Sequence, residues 1–185
     1  SYFGVYTVTD YDNERQLAHG TTLHGIQLKG ALSTRPTTYY VPGSGVGQAM
    51  QALPDLYGPA ARVGVVGLGT GTLACYARPG QSWRFFEIDP AIVHLARDSG
   101  KFTFLKQCAP QTRISIGDAR VRLTETQSAS LDLLALDAFS SDTVPMHLLT
   151  RQAFVTYGRV LAPNGLLLVH ISNRFMALAP VVSAA

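Results

Sequence analysis

Three acids of this chain, Glu87, Asp118 and Asp137, stand at or one step beyond the end of an apolar run: Phe85-Phe86, Ile114-Ser115-Ile116 and Leu133-Leu134-Ala135-Leu136. A fourth run, Val63-Gly64-Val65-Val66, opens onto Gly67, Gly69 and Gly71 at every second position. Short continuous apolar runs read as buried parallel strands. Glycines directly after such a strand let the backbone turn sharply and approach a ligand that a Cβ would exclude. An acid at the tip of the next strand accepts hydrogen bonds from both hydroxyls of a ribose. The chemistry implied is nucleoside binding at the C-terminal edge of a parallel sheet.

A glycine loop of this kind also serves dinucleotides, and two details separate the readings. The dinucleotide fingerprint is G-x-G-x-x-G, and the residue three beyond Gly69 is Thr72. No basic residue lies near Glu87 in the place of a 2′-phosphate clamp. Glycines or acids at four successive strand ends favour an S-adenosylmethionine-type site over a nicotinamide site.

The elements that must position these residues follow from the pattern. The length of 185 residues suits one α/β unit carrying a small appendage. Val5, Thr7 and Thr9 alternate, residues 10–14 read as a turn, and the chain returns over Arg15 to Thr22 with a short strand near Ile26. Leu32 to Pro42 reads as loop, and Gly45 to Leu53 as a helix over the site, ended by Pro54 and Gly58. Strands are expected at Arg62–Gly67, Trp83–Ile88, Arg113–Ile116, Leu131–Leu136 and Leu166–Ile171. Helices are expected at Thr72–Ala77, Pro90–Asp98, Ala119–Leu123 and Leu148–Leu161. The alternation predicts a class I methyltransferase-like (Rossmann-like) α/β fold with a parallel sheet, residues 45–185, behind a small N-terminal β layer and loop, residues 1–44.

Bulk properties exclude several classes. A formal net charge of +3 without a Lys/Arg run predicts no nucleic-acid partner. No segment has the apolar length of a membrane span. His, Cys and acids share no metal-ligand spacing, so no metal is expected. Cys75 and Cys108 are expected to be buried thiols of a reducing compartment. Both ends read as cut: Ser1-Tyr2-Phe3 lies inside a strand pattern, and residues 177–185 open an amphipathic helix that stops short. The last strand is therefore expected at a sheet edge that self-associates or is covered by further chain.

Residues 86–93 (Phe-Glu-Ile-Asp-Pro-Ala-Ile-Val), Gly117-Asp118-Ala119-Arg120 and residues 136–142 (Leu-Asp-Ala-Phe-Ser-Ser-Asp) resemble the spermidine synthase (polyamine aminopropyltransferase) family. Residues 19–25 sit where that family has a D-G-x-x-Q element, Tyr39-Tyr40 where it has its tyrosine, and the resemblance runs from about Leu17 to Arg174. It is nearest to spermidine-synthase-like domains fused to membrane-spanning segments. That implies a cytoplasmic enzyme or the cytoplasmic domain of an inner-membrane protein, and a homo-oligomer.

The resemblance implies roles. Gly67, Gly69 and Gly71 would cradle decarboxylated S-adenosylmethionine, Glu87 its ribose and Asp118 its adenine amino group. Asp137 would take the proton of an attacking amine, with Tyr39 or Tyr40 orienting it. Asp142 matches the loop's second acid, five positions on instead of three, and reads equally well as a loop acid or cap. Thr70 fills the slot of the family's glycine-loop acid. His19 replaces the acid of the D-G-x-x-Q element, and Leu23 its glutamine, with His24 beside it. His24 and His147 are the histidines in reach of the cleft, although a lone histidine is more often a packed or surface residue. Asp89, before Pro90, reads as a helix cap. The small-molecule acceptor would be an amine. Two rival readings stand beside aminopropyl transfer: an S-adenosylmethionine methyltransferase, favoured by the plain G-L-G-T-G loop, and a non-catalytic nucleoside-binding domain.

Overall fold

Two sheets carry the chain in the computed structural model, which describes residues 1–20, 22–138, 145–171 and 179–183. Strands β1 (Tyr6–Asp10), β2 (Glu14–His19) and β3 (Thr22–Leu28) form an antiparallel layer in chain order. Strands β4 (Arg62–Val66), β5 (Ser82–Glu87), β6 (Arg113–Ile116), β7 (Leu131–Leu136) and β8 (Leu161–Val169) form a parallel sheet in the order β6-β5-β4-β7-β8. The order runs outward in both directions from β4. The connections leaving β4 and β7 therefore diverge, and a crevice opens between their C-terminal ends, where open α/β sheets bind ligands.

Side-chain alternation along the strands builds a core on each face. Val63, Val65, Phe85, Leu133 and Ala135 point to one side, where they meet Leu17 of β2 and Met50 and Leu53 of α1 (Gly45–Tyr57). Val66, Phe86, Leu134 and Leu136 point to the other, against Leu123 of α4 (Ala119–Thr124) and Ala153 and Tyr157 of α5 (Arg151–Val160). The N-terminal layer is pinned by Gln27. Its amide donates to Ser33 O and Thr103 Oγ1, both at 2.8 Å, and its oxygen accepts from Thr103 N at 2.9 Å.

The α/β class, the five parallel strands and the antiparallel layer match the expectation. Several elements differ. Thr72–Tyr76 is a 3₁₀ turn, not an α-helix. Pro90–Asp98 begins as the short α2 (Pro90–Val93) and widens into a π turn over His94–Asp98. Helix α3 (Phe104–Cys108) was not foreseen, because five residues are too short to show a period. The expected helix Leu148–Leu161 is divided: Met146–Leu149 is a 3₁₀ turn, and Thr150 caps α5 by accepting from Ala153 N at 3.2 Å. Strand β8 starts at Leu161 rather than Leu166, with a register shift opposite Leu131/Leu133 that absorbs Pro163-Asn164-Gly165. Helix α1 carries Pro54 inside its last turn and ends at Gly58, whose N–H bonds Pro54 O at 2.9 Å. Five residues, Ala179–Ser183, form α6.

The cysteine expectation is corrected. Cys75, in the turn after the glycine loop, and Cys108, closing α3, form a disulfide with Cα atoms 4.8 Å apart. Their separation of 33 positions carries no spacing signature, so only the fold brings them together.

Candidate active site

The crevice is a cleft of about 430 Å³ at the C-terminal edge of the sheet. Its floor is the glycine loop. Gly67 has φ +94°, and a Cβ there would stand 2.5 Å from the backbone oxygen of Asp137, so only glycine lets β4 and β7 deliver their ends side by side. Gly69 also lines the cleft. Gly71, at φ +86°, starts the 3₁₀ turn against Leu105 of α3 and does not line it.

Glu87 ends β5 almost buried. One carboxylate oxygen accepts from Leu68 N and the other from Asp89 N, both at 2.9 Å. The carboxylate thus braces the glycine loop, while its remaining lone pairs stay available for two ribose hydroxyls. Burial raises its pKa above the ordinary range, partly opposed by those backbone N–H groups. Asp89 caps α2, as expected, accepting from Ala91 N at 2.8 Å.

Asp118 follows β6 and caps α4 by accepting from Val121 N at 3.1 Å; its other oxygen lies 3.2 Å from His147 Nε2. Both line the cleft, so one of the two uncertain histidines stands beside the acid expected at the adenine. His24 also lines it, its ring 5.7 Å from that of His19, which in turn lies 4.8 Å from Tyr6.

Asp137, the first residue past β7, has its side chain 8 % exposed. Tyr40 Oη donates to Oδ2 at 2.5 Å, and Nδ1 of His170 lies 2.6 Å from Oδ1. Tyr39 completes the cluster, its ring 4.3 Å from Tyr40 and 4.9 Å from His170. Burial first, then the Asp137 charge, pushes both tyrosines well above their usual range, so they act as donors and not as bases. The hydrogen bond to Asp137 raises the His170 imidazole above its usual pKa, against burial, and the Asp137 charge adds to the rise.

The structure therefore gathers Gly67, Gly69, Glu87, Asp118, Asp137, Tyr39, Tyr40, His24 and His147 around one cleft. Thr70 is not among them: 1 % exposed, it bonds Thr72 Oγ1 at 2.8 Å and lies beneath Gly25 of β3. Asp142 lies outside the described residues. The sequence reading missed His170. The expected strand Leu166–Ile171 puts His170 inside it; the strand ends at Val169, so His170 follows β8 as Asp137 follows β7, and its N–H bonds Leu136 O at 3.0 Å.

A parallel sheet with a glycine turn after β4 and acids at the ends of the three strands β5, β6 and β7 has the Rossmann-like, methyltransferase-like class of fold. No family model matches the sequence. The chain is 29% identical over 119 residues to a polyamine aminopropyltransferase of Vibrio vulnificus, and 33% identical over 177 residues to polyamine aminopropyltransferase 2 of Streptomyces coelicolor. These alignments cover 62% and 86% of this chain but span only 38% and 32% of those proteins. In fold it matches a probable spermidine synthase from Corynebacterium glutamicum, with a TM-score of 0.71 at 19% identity, over 90% of this chain and 60% of that one. It also matches a spermidine synthase in complex with the transition-state analogue AdoDATO, with a TM-score of 0.57 at 15% identity, over 96% and 62%. In sequence the chain is thus similar to polyamine aminopropyltransferases, and in fold to spermidine synthases.

Proposed function

We propose that this domain transfers an aminopropyl group from decarboxylated S-adenosylmethionine to a small amine. The observation that carries the reading is Asp137, a nearly buried carboxylate at the crevice between β4 and β7, oriented by Tyr40 and facing the glycine floor. A sulfonium carbon needs only a neutral amine in line: the C–N bond forms as the C–S bond breaks, and the thioether leaves. An amine is protonated at neutral pH, so a fixed carboxylate that removes its proton and holds it in position lowers the barrier. Gly67 and Gly69 would line the donor's path, Glu87 would take its ribose and Asp118 its adenine amino group. The named relatives, and the neighbour holding a transition-state analogue, support the same chemistry.

A second reading, methyl transfer from S-adenosylmethionine, is favoured by Thr70, which leaves the glycine loop without an acid. Calorimetry against both donors, followed by product detection with putrescine and other amines, separates the two. Preference for the decarboxylated donor with formation of an elongated amine supports the first reading. Methylated product supports the second, and binding without turnover supports a nucleoside-sensing domain.

Self-association belongs to the same proposal. Among the described residues β8 is the outermost strand on its side, and Leu166 is exposed on it. A cytoplasmic site of action, free or tethered to membrane segments outside these residues, rests on the family resemblance and stands against the Cys75–Cys108 disulfide, a bond rare in reducing compartments. No described helix is long and apolar enough to cross a membrane.

A further inference from the structure

We infer that a second cleft, at the N-terminal edge of the parallel sheet, binds an oxyanion between Arg84 and Arg113. The ligand is a phosphate or carboxylate, free or carried by a small molecule. The cleft measures about 860 Å³ and is lined by the first residues of β5 and β6, at the opposite end of the strands from Asp137. The proposed transfer makes no use of it.

The ladder itself puts the two charges together. Arg84 and Arg113 are direct partners in the parallel pairing of β5 and β6. Neighbouring strands lie about 4.8 Å apart and paired residues share a face, so the two side chains leave the sheet side by side. Like charges so close repel each other. No acid relieves the repulsion. Arg84 donates from Nε to Ser115 Oγ at 2.8 Å and from Nη1 to Thr126 Oγ1 at 3.4 Å, both neutral hydroxyls. Its Nη2, and the whole Arg113 guanidinium, have no acceptor among the described residues. Glu125, the acid whose charge reaches Arg84, is itself paired with Arg122 at 3.1 Å. Burial first, then the Arg113 charge, lowers the Arg84 pKa, and Glu125 opposes them only in part. One charge would be enough to guard an edge strand such as β6. An anion accounts for the second.

The rest of the wall also offers donors. The Arg78 guanidinium, at the rim, has no acceptor among the described residues. Gln81 Oε1 accepts from Arg78 N and from Trp83 Nε1, both at 3.0 Å, which fixes the orientation of its amide. Its Nε2 is buried without a partner among the described residues, as is Thr112 Oγ1, and both residues line this cleft. A buried N–H without an acceptor adds uncompensated positive potential to the wall. Each guanidinium presents paired N–H groups that match two oxygens of a phosphate or carboxylate. An oxyanion between the two arginines cancels their repulsion and gives Nη2 its acceptor, and the volume leaves room for the remainder of a small molecule.

Thermal unfolding at constant ionic strength, with inorganic phosphate replacing chloride, tests the site. Phosphate at about ten times its dissociation constant should raise the wild-type melting temperature by about 3–6 °C. Arg113→Gln should behave oppositely in the two salts. In chloride it should melt at or above the wild type, because the repulsion is gone, and in phosphate it should gain less than about a third of the wild-type rise. Arg97→Gln removes an arginine paired with Asp98 away from the cleft and should keep the full rise. NMR titration of the arginine Nε–H signals needs no variant: those of Arg84 and Arg113 should shift together along one saturable curve. Glycerol phosphate and citrate then separate the sources, and tighter binding of either than of inorganic phosphate supports a carried group. An equal rise in Arg113→Gln, or signals that do not saturate, would mean an adventitious ion only and overturn the site. So would an Arg113→Gln protein less stable than the wild type in chloride, since the fold itself would then be holding Arg113.

Discussion

The two edges of the parallel sheet differ more in charge than in shape. At the C-terminal edge the cleft is about 430 Å³ and brings together Glu87, Asp118 and Asp137. At the N-terminal edge a cleft of about 860 Å³ is lined by Arg78, Arg84 and Arg113, with no Asp or Glu among its lining residues. The guanidinium of Arg84 lies over the Phe86 ring at 4.8 Å and bonds Ser115 Oγ at 2.8 Å. Burial, then Arg113, lowers its pKa. A sulfonium donor and an ammonium acceptor are both cations. At an effective dielectric of about 20, unit charges about 6 Å apart interact by about 3 kcal/mol. An arginine nearby disfavours the proposed cationic ligands, and a carboxylate favours them. Space alone would choose the wrong edge; the strand ends that carry acids choose the right one.

The largest test of that contrast is a matched set of variants. Asp137→Asn should cut turnover by about a hundredfold or more while nucleoside affinity stays nearly intact. Arg78→Gln and Arg113→Gln, at the other edge, should leave turnover within about twofold. An equal loss in the arginine variants would show that the chemistry is not confined to one edge.

The disulfide offers a second separation. Cys108 lines the arginine cleft, while Cys75 lies in the turn that begins at the glycine loop. Closing a loop of this length is worth about 4 kcal/mol. Reduction should therefore lower the melting temperature while donor affinity in the still-folded protein changes by less than about threefold. A donor affinity that collapses on reduction would show that the turn, and with it the glycine floor, depends on the bridge.

The donor half can be tested by charge. Glu87→Gln should weaken binding of any S-adenosyl compound by about 1–3 kcal/mol, the scale of a lost charged hydrogen bond. The pH dependence has a definite sign. The folded-state pKa of Glu87 lies above its ordinary 4.5 because burial disfavours the charge. The fold alone is thus relatively favoured when Glu87 is protonated, and that advantage is lost as pH rises past the ordinary value. Ribose binding needs the carboxylate, so donor affinity should fall on acidification and begin to fall above the ordinary carboxylate range. Calorimetry from pH 4 to pH 8 reads this, and affinity that is flat across the range would remove Glu87 from the ribose.

What was legible in the sequence divides along physical lines. The strands of the parallel sheet announced themselves because burial on both faces leaves unbroken apolar runs, and the acids at their tips followed from register. The start of β8 did not. Pro163-Asn164-Gly165 reads as a turn, and only pairing with β7 keeps it extended as a bulge. His170 read from sequence as part of the strand Leu166–Ile171; an isolated histidine has no spacing partner, and its meaning lies in a contact 33 residues away. Cys75 and Cys108 were unreadable for the same reason.

Thr70 gives the smallest and sharpest test. By position it fills the slot of a substrate-binding acid, so Thr70→Asp reads from sequence as a repair that should improve amine binding. The structure argues otherwise. Gly69 and Gly71, both at positive φ, turn Thr70 under β3, where a Cβ on Gly25 would already stand 2.5 Å from its hydroxyl. A carboxylate placed there, 1 % exposed, would lose its hydration, with Thr72 Oγ1 as its hydrogen-bond neighbour among the described residues. It would stay protonated near neutral pH or push β3 off the loop, and neither offers a charge to a distant ammonium. Thr70→Asp should therefore cost about 1–3 kcal/mol of stability, the price of an unsatisfied buried polar group, with no gain in amine affinity. A stable variant that binds putrescine more tightly in a competition assay would show that residue 70 faces the acceptor after all and would extend the acidic edge of the cleft to include it.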